Sequence, residues 1–538
     1  MKKKRNGWKT AFVILAILIV LFMVWLFWDD GYYDDDYGYH DGYGHYDDGY
    51  DDYYGHGSSG SSSGTGTVST IDNTASQQTV TADEIIRDKL VTLKGGGEDK
   101  VTVLVYMNGS DLETDDGEAT TDLSEMVAAG SSDTVKVLVE TMGTKKWNKK
   151  YGISSNTAQR YLLNGNGLTL VQDKLGKVNC CSAAPLTEFI KWGVKNYPAD
   201  RYILMFWDHG GGPVYGFGYD DSTQSEDSLT VAEMQKALRD AGTVFDFIGM
   251  DCCIMSSIEV SCALYDFCDY MILSEDFESG EGWYYTSWLK ALYDNSSIST
   301  PELGKIIVDG MVSANSKQGE DAILTVIDES YMKLLYASWV DFAYANENTL
   351  LGTNYSRRKS KKAGYRVSPV LEEKSYFKSP FSSTGDYFYG DDYDDADMSE
   401  YYVTDIMAVA QNISGDEAYT LAAALNRTIV YMSACGDSST LTGFSVTLPY
   451  GDYDFYDELK DVFTDCGFDS EYIEWLSKFA ASSNSSSFYN YDSWDSGWGG
   501  WDDYEDDYDW DDWDHGYGHE SGGYEDDWGW SWHGRRAG

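Results

Sequence analysis

The chain has 538 residues, a formal net charge of −51, 24% charged and 15% aromatic residues and only 7 prolines. These values exclude a disulfide-stapled mini-protein, a collagen-like fibre and a nucleic-acid binder that works by neutralising phosphates. Acid is concentrated at the ends: 29–56 holds ten aspartates with no Lys or Arg, and 485–538 holds fifteen acidic residues against Arg535 and Arg536.

From the N-terminus, Lys2, Lys3, Lys4 and Arg5 precede a nineteen-residue stretch, 10–28, that carries no charge. That length suffices to cross a hydrocarbon core of about 30 Å. The stretch ends Trp-Leu-Phe-Trp-Asp-Asp, without a small-residue cleavage site or a nearby cysteine to lipidate, so the expectation is an uncleaved transmembrane anchor, with a cleaved signal peptide as the alternative. The positive-inside bias puts 1–9 in the cytosol and all residues after 28 outside, as a single-pass cell-membrane protein. Within 29–80, which also holds the linker SSGSSSGTG at 58–66, the stretch 29–56 shares Asp, Gly, Tyr and His with 485–538, and both nearly lack aliphatic residues. They read as disordered acidic tails, either solvated spacers or surfaces that touch cell-wall polymer or cations.

Between the tails, 101–107, 135–140, 201–207, 245–250 and 269–273 are short apolar runs that read as strands. Helical patterns lie at about 118–129, 185–196, 229–241 and 302–315, with another starting just after residue 253. The alternation predicts an α/β fold with a mainly parallel sheet covered on both faces over 81–320, and ligands beyond the carboxyl ends of the strands. The segment 321–484 reads as an α/β extension packed on that unit, with strands at 321–327 and 441–449, helices at 330–346 and 402–414 and an exposed basic loop at 357–362.

Four of the strand runs are followed by polar, Gly-rich loops: NGSDLE, DHGGG, DCCIM and SEDFESGEGW. Six of the seven histidines fall in the tails, which leaves His209 as the one imidazole of the folded region, directly after a strand and before Gly210. No C-x-x-C occurs among the eight cysteines, and one imidazole argues against zinc. Cys252 and Cys253 stand at a strand end and at the expected start of a helix, where a thiol loses its proton more readily; spacing does not choose between them. A thiolate that attacks a carbonyl, an imidazolium that protonates the leaving amine, and the N–H groups of Gly210 and of the nucleophile around the oxyanion suffice for acyl transfer without a cofactor.

The blocks YMNGSDLE (106–113), WDHGGG (207–212), MDCCIMSSIE (250–259) and SEDFESGEGW (274–283) resemble the clostripain-like cysteine peptidases of the caspase-like and gingipain-like group. The resemblance implies a caspase-like three-layer sandwich, a Cys/His dyad and peptide-bond cleavage. The family cysteine follows Asp-Ala, which assigns the nucleophile to Cys253 and puts Cys252 in the alanine's place. It also implies that Asp251 lies at the base of a pocket for a P1 Arg or Lys, with Glu275 and Asp276 as further wall residues. A structural alternative makes Asp251 a helix cap. Members of the group often need Ca²⁺ or self-cleavage, for which Lys145–Lys150 or Arg357–Lys362 offer basic sites. The expected partners are therefore peptides or proteins with a basic P1 residue, and not nucleic acid. The competing reading is a non-catalytic surface protein that binds through its acidic aromatic tails.

Overall fold

A parallel strand flanked by helices must bury both faces, and the apolar runs do so: every residue of Val101–Asn108 is buried. The computed structural model describes residues 68–74, 86–222, 228–352 and 402–482, all within one compact unit, Gly64–Gly538. Its strands in chain order are β1 (Val68–Asp72), β2 (Val101–Asn108), β3 (Val135–Met142), β4 (Gln159–Asn164), β5 (Gly167–Gln172), β6 (Arg201–Trp207), β7 (Phe245–Asp251), β8 (Cys268–Leu273), β9 (Ala322–Asp328), β10 (Val403–Asp405), β11 (Ile429–Cys435) and β12 (Ser445–Thr447). Ten of them form one sheet in the order β1-β11-β9-β8-β7-β6-β2-β3-β4-β5, while β10 and β12 pair separately. The five strands from β8 to β3 are parallel. The chain moves from β2 outward to β3 and then returns to place β6 on the other side of β2, so the carboxyl ends of β2 and β6 flank a topological switch point.

The helices are α1 (Glu118–Ala128), α2 (Ala183–Asn196), α3 (Gly212–Tyr215), α4 (Val231–Ala241), α5 (Ile258–Leu264), α6 (Tyr285–Asp294), α7 (Thr300–Gln318), α8 (Met332–Ala345), α9 (Glu347–Gly352), α10 (Ile406–Gln411), α11 (Asp416–Thr428), α12 (Tyr453–Cys466) and α13 (Ser470–Ala480). They cover the sheet on both sides. Leu104 and Tyr106 of β2 join one core with α2, α4, α5 and α8. Val103, Val105 and Met107 join the other with α1, α6 and α7. Alternate residues of one strand thus feed two cores, and the fold is a three-layer α/β/α sandwich.

Several elements depart from the sequence reading. Val68–Asp72, inside the expected tail-and-linker segment 29–80, is an edge strand whose residues pair with β11 from Val68–Cys435 to Asp72–Tyr431. Strand β9 pairs with β8, and β11 pairs with β9, so residues after 320 complete the central sheet rather than extend it from outside. The β4–β5 hairpin turns at Asn164-Gly165-Asn166-Gly167, a strong hairpin signal in the sequence. Only Ser445–Thr447 of the run 441–449 is strand, and 402–414 divides into β10 and α10. Among the described residues no helix is long and apolar enough to cross a membrane. The expected span 10–28, the tails 29–56 and 485–538 and the basic loop 357–362 lie outside the described residues.

At the amino end of the sheet, the fully buried Arg201 pairs with Asp246 at 2.7 Å and donates to Ile298 O at 2.8 Å, and Thr300 Oγ1 donates to Asp246 at 2.6 Å. This pair ties β6 and β7 to the start of α7. Arg201→Met strands the Asp246 charge and is expected to cost about 3–5 kcal/mol of stability. Denaturant melts of the two proteins check this; an unchanged midpoint would contradict it.

Candidate active site

The loops after β2, β6, β7 and β8 meet at the carboxyl edge of the sheet around a cavity of about 110 Å³. His209 and Cys253 both line it, so the two residues the sequence singles out for chemistry face one cleft. With them stand Trp207, Cys252 and five acidic residues: Asp208, Asp251, Glu118, Asp122 and Glu278.

His209 extends directly from β6, and the loop after β2 supplies its partner. Asp111 Oδ1 lies 2.8 Å from His209 Nε2, and Tyr219 stacks on the ring with centroids 5.7 Å apart. Burial would lower the imidazole's pKa, but the bond to Asp111 and the charge of Asp208 outweigh it and hold the ring above its ordinary value. The same pair brings the Asp111 carboxyl down to about 2 against burial. Asp208 secures the loops: its carboxylate accepts from Ser110 Oγ at 2.6 Å, from Tyr219 N at 3.0 Å and from Asn108. Ser110 itself has φ of 40°, a left-handed conformation rare for a residue with a Cβ.

Cys253 sits in a turn rather than at a helix N-terminus. Helix α5 begins at Ile258 with Ser257 as its cap, the Ser257 side chain accepting from Val260 N at 3.2 Å. The turn between is held by two bonds to the β8 loop, Ile254 N to Asp276 O at 3.0 Å and Ser256 N to Ser274 O at 2.8 Å, and it forces Ile254 to φ of 50°. The thiol therefore gains nothing from a helix dipole. Its neighbour is the backbone of Glu278, whose N–H donates to Cys253 Sγ at 3.2 Å. Burial and the charge of Glu278 push the thiol up to about 12. Cys252 is buried and its thiol is raised further, by burial first. No disulfide links any of the eight cysteines.

Gly210 packs directly on this turn. A Cβ there would lie 1.9 Å from Cys253 O and 2.8 Å from Cys253 N, so any side chain would separate the two loops. Neither the Gly210 nor the Cys253 N–H bonds to another backbone group among the described residues. The expected oxyanion pair is thus side by side.

The acidic wall is deeper than the sequence suggests. Asp251 accepts from Tyr285 O–H at 2.7 Å, and Gly282, at φ of 49°, leaves room where a Cβ would come within 3.0 Å of its carboxylate. Asp122 accepts from Trp207 Nε1 at 2.6 Å. The two carboxyl oxygens of Glu278 are buried against the Asp251 carboxyl and Trp283. Burial pushes Asp251 up to about 6 and Glu118 up to about 7. It raises Glu278 and Asp122 well beyond the usual carboxylate range, each pushed further by Asp251. Among the described residues no lysine or arginine lines the cavity.

Glu275 and Asp276, expected in the pocket wall, lie behind it. Glu275 Oε2 accepts from Gly443 N at 2.6 Å, and Asp276 accepts from Ser438 Oγ at 2.6 Å and from Phe277 N at 2.9 Å, so both buried carboxylates anchor loops. Asp111 and Glu278 stood inside the quoted motifs without a role, whereas Glu118 and Asp122 on α1 gave no local signal. The stretch Lys145–Lys150 is folded against the body, with Trp147 buried and Lys145 paired to Asp221 at 2.6 Å. Among the described residues no group of three or more His, Cys, Asp or Glu side chains is arranged to hold a metal ion.

Two variants test this geometry. Asp111→Ala removes the carboxylate that keeps His209 protonated, so activity should fall by about tenfold or more and the alkaline limb of the pH profile should move to lower pH; an unshifted limb would contradict the pairing. Gly210→Ala should abolish turnover and lower the thermal midpoint, because the added Cβ forces the two loops apart, and full activity would show that the loops do not need this approach.

A family model described as the clostripain family matches residues 105–513. Among solved structures, the chain is similar to a secreted C11 cysteine protease from Bacteroides thetaiotaomicron in complex with an irreversible peptide inhibitor, at 18% identity and a TM-score of 0.49 over 69% of this chain and 99% of that one. It is also similar to an inactive zymogen C11 protease from Parabacteroides distasonis, at 16% identity and a TM-score of 0.45 over 71% of this chain and 98% of that one. No curated protein sequence matches the chain. Because the family match spans well over half of the chain, this protein belongs to the clostripain family and is a cysteine-type peptidase.

Proposed function

We propose that the protein is a membrane-anchored, extracellular endopeptidase that cleaves after Arg or Lys, with Cys253 as nucleophile and His209 as general acid. The observation that carries this reading is a cavity beside the thiol lined by five acidic side chains and, among the described residues, by no lysine or arginine. Buried carboxyls without a cation resist ionisation, and a guanidinium or ammonium from the substrate relieves them. The anchor rests on the uncharged stretch 10–28 behind its basic cluster, and the acidic aromatic tails are the candidates for cell-wall contact.

In this mechanism the P1 side chain enters toward Asp251, which sets the scissile carbonyl over Cys253. The Cys253 thiolate attacks the carbonyl carbon, and the oxyanion forms against the N–H groups of Gly210 and Cys253. The His209 imidazolium, held charged by Asp111, gives its proton to the leaving amine as the C–N bond breaks. Water then hydrolyses the thioester with the neutral imidazole as base, restoring thiol and enzyme.

A P1-varied peptide series on the full chain should show Arg and Lys preferred, and Asp251→Asn should lower cleavage after them by about a hundredfold while sparing what neutral-P1 cleavage exists. Preference retained in Asp251→Asn would place the pocket elsewhere. The pH dependence follows from the raised carboxyls. Since Asp251 and Glu118 keep their protons up to about 6 and 7, cleavage after basic residues should fall as pH drops through that window. The same groups add stability that is complete below their unfolded values and lost as pH rises through the folded ones. An alkylguanidinium that fills the pocket should therefore raise the thermal midpoint more at pH 8 than at pH 5; equal gains would contradict the electrostatic reading.

A further inference from the structure

Glu278 holds the nucleophile and the pocket at once. Its N–H donates to Cys253 Sγ at 3.2 Å, while its buried carboxyl faces Asp251 and Trp283 and lines the same cavity as Asp251, Glu118 and Asp122. A thiolate formed at Cys253 in the empty site would face this wall. Among the described residues the charged or titratable groups on that cavity, besides Cys253, are Asp251 and Cys252 from the β7 turn, Glu278 from the β8 loop, Glu118 and Asp122 from α1, and Asp208 and His209 from the β6 loop, of which His209 alone is cationic. The imidazolium's charge is already shared with Asp111 at 2.8 Å and with the nearby Asp208.

We propose that the substrate's own P1 cation switches on the nucleophile: by entering the pocket beside Glu278 and Asp251, it brings to the cleft the positive charge that a negative sulfur there lacks and lets Cys253 ionise. This rests on the basic-P1 reading above and adds to it a catalytic consequence. The thiol proton passes to solvent, and the resulting thiolate is balanced by the His209 imidazolium on one side and the P1 cation on the other. The state of the free thiol agrees, since Glu278 follows burial as the second cause of its resistance to ionisation. A peptide with a neutral P1 residue would meet a protonated thiol even when bound, so the discrimination falls on kcat as well as on KM. The arrangement also leaves the empty enzyme unreactive toward stray electrophiles, which attack thiolates rather than thiols.

The test separates the cation from the peptide. Full-length protein is treated with iodoacetamide with and without saturating ethylguanidinium, which mimics the end of an arginine side chain and does not extend over the sulfur. The thiolate displaces iodide, forming an S–C bond at Cys253 that peptide mapping distinguishes from Cys252. The expected result near neutral pH is alkylation at least about tenfold faster with the cation, equivalent to a shift of one pH unit or more in the alkylation profile. If ethylguanidinium competitively inhibits cleavage of basic peptides yet leaves alkylation unchanged or slower, the inference is overturned and the basic pocket stands. If it neither inhibits nor accelerates, and basic P1 residues are not preferred, both the inference and the reading beneath it fail.

Discussion

The backbones of two strand-end loops touch at Gly210 and Cys253, and the rest of the site depends on that contact. The space where a Gly210 side chain would begin is filled by the carbonyl of Cys253. Only a glycine after β6 allows the imidazole loop to lie against the thiol turn, and only adjacent parallel strands bring the two loops to the same edge. The sheet order supplies that adjacency, and the switch point between β2 and β6 adds the loop that carries Asp111. Strain is localised at the same edge. Ser110 and Ile254, each in a left-handed conformation, lie next to Asp111 and Cys253, consistent with backbone held out of its preferred states where function needs particular directions.

Electrostatics divides the cleft. On one side, Asp111 and Asp208 favour a charged His209. On the other, buried carboxyls crowd one another and the sulfur, and their protons are held well above the usual range by desolvation. This is a poor state for a free nucleophile and a good one for receiving a cation. The acidity of the chain as a whole does not create this pocket. Glu275 and Asp276 show as much, since they neighbour Glu278 in sequence yet serve as buried anchors for other loops.

What the sequence made legible follows from how strongly each feature is patterned. The central strands were readable because strands buried on both faces become continuous apolar runs, and His209 was readable because the other six histidines lie in compositionally distinct tails. The thiol turn was misread as the start of a helix because Cys252 to Met255 is apolar and blends into the helical period, while the capping serine that marks the true start, Ser257, comes only after it. Within SEDFESGEGW a loop has no fixed period, so nothing local distinguishes the acid that faces the cleft from those that face the core. Glu118 and Asp122 reach the site only through the tertiary packing of α1. Val68–Asp72 was taken as linker because a single polar edge strand gains its stability from pairing with β11, 357 residues or more away in sequence, and not from its own composition.

The account's central claim is that Cys253, not Cys252, meets a substrate whose P1 cation occupies the carboxylate pocket. The most direct measurement is adduct mapping after exposure of the full chain to a peptidyl-arginyl chloromethyl ketone and to its norleucyl counterpart. The account predicts one adduct per chain, on Cys253, formed rapidly by the arginyl reagent and slowly by the norleucyl one. An adduct on Cys252, or equal rates for the two reagents, would contradict it.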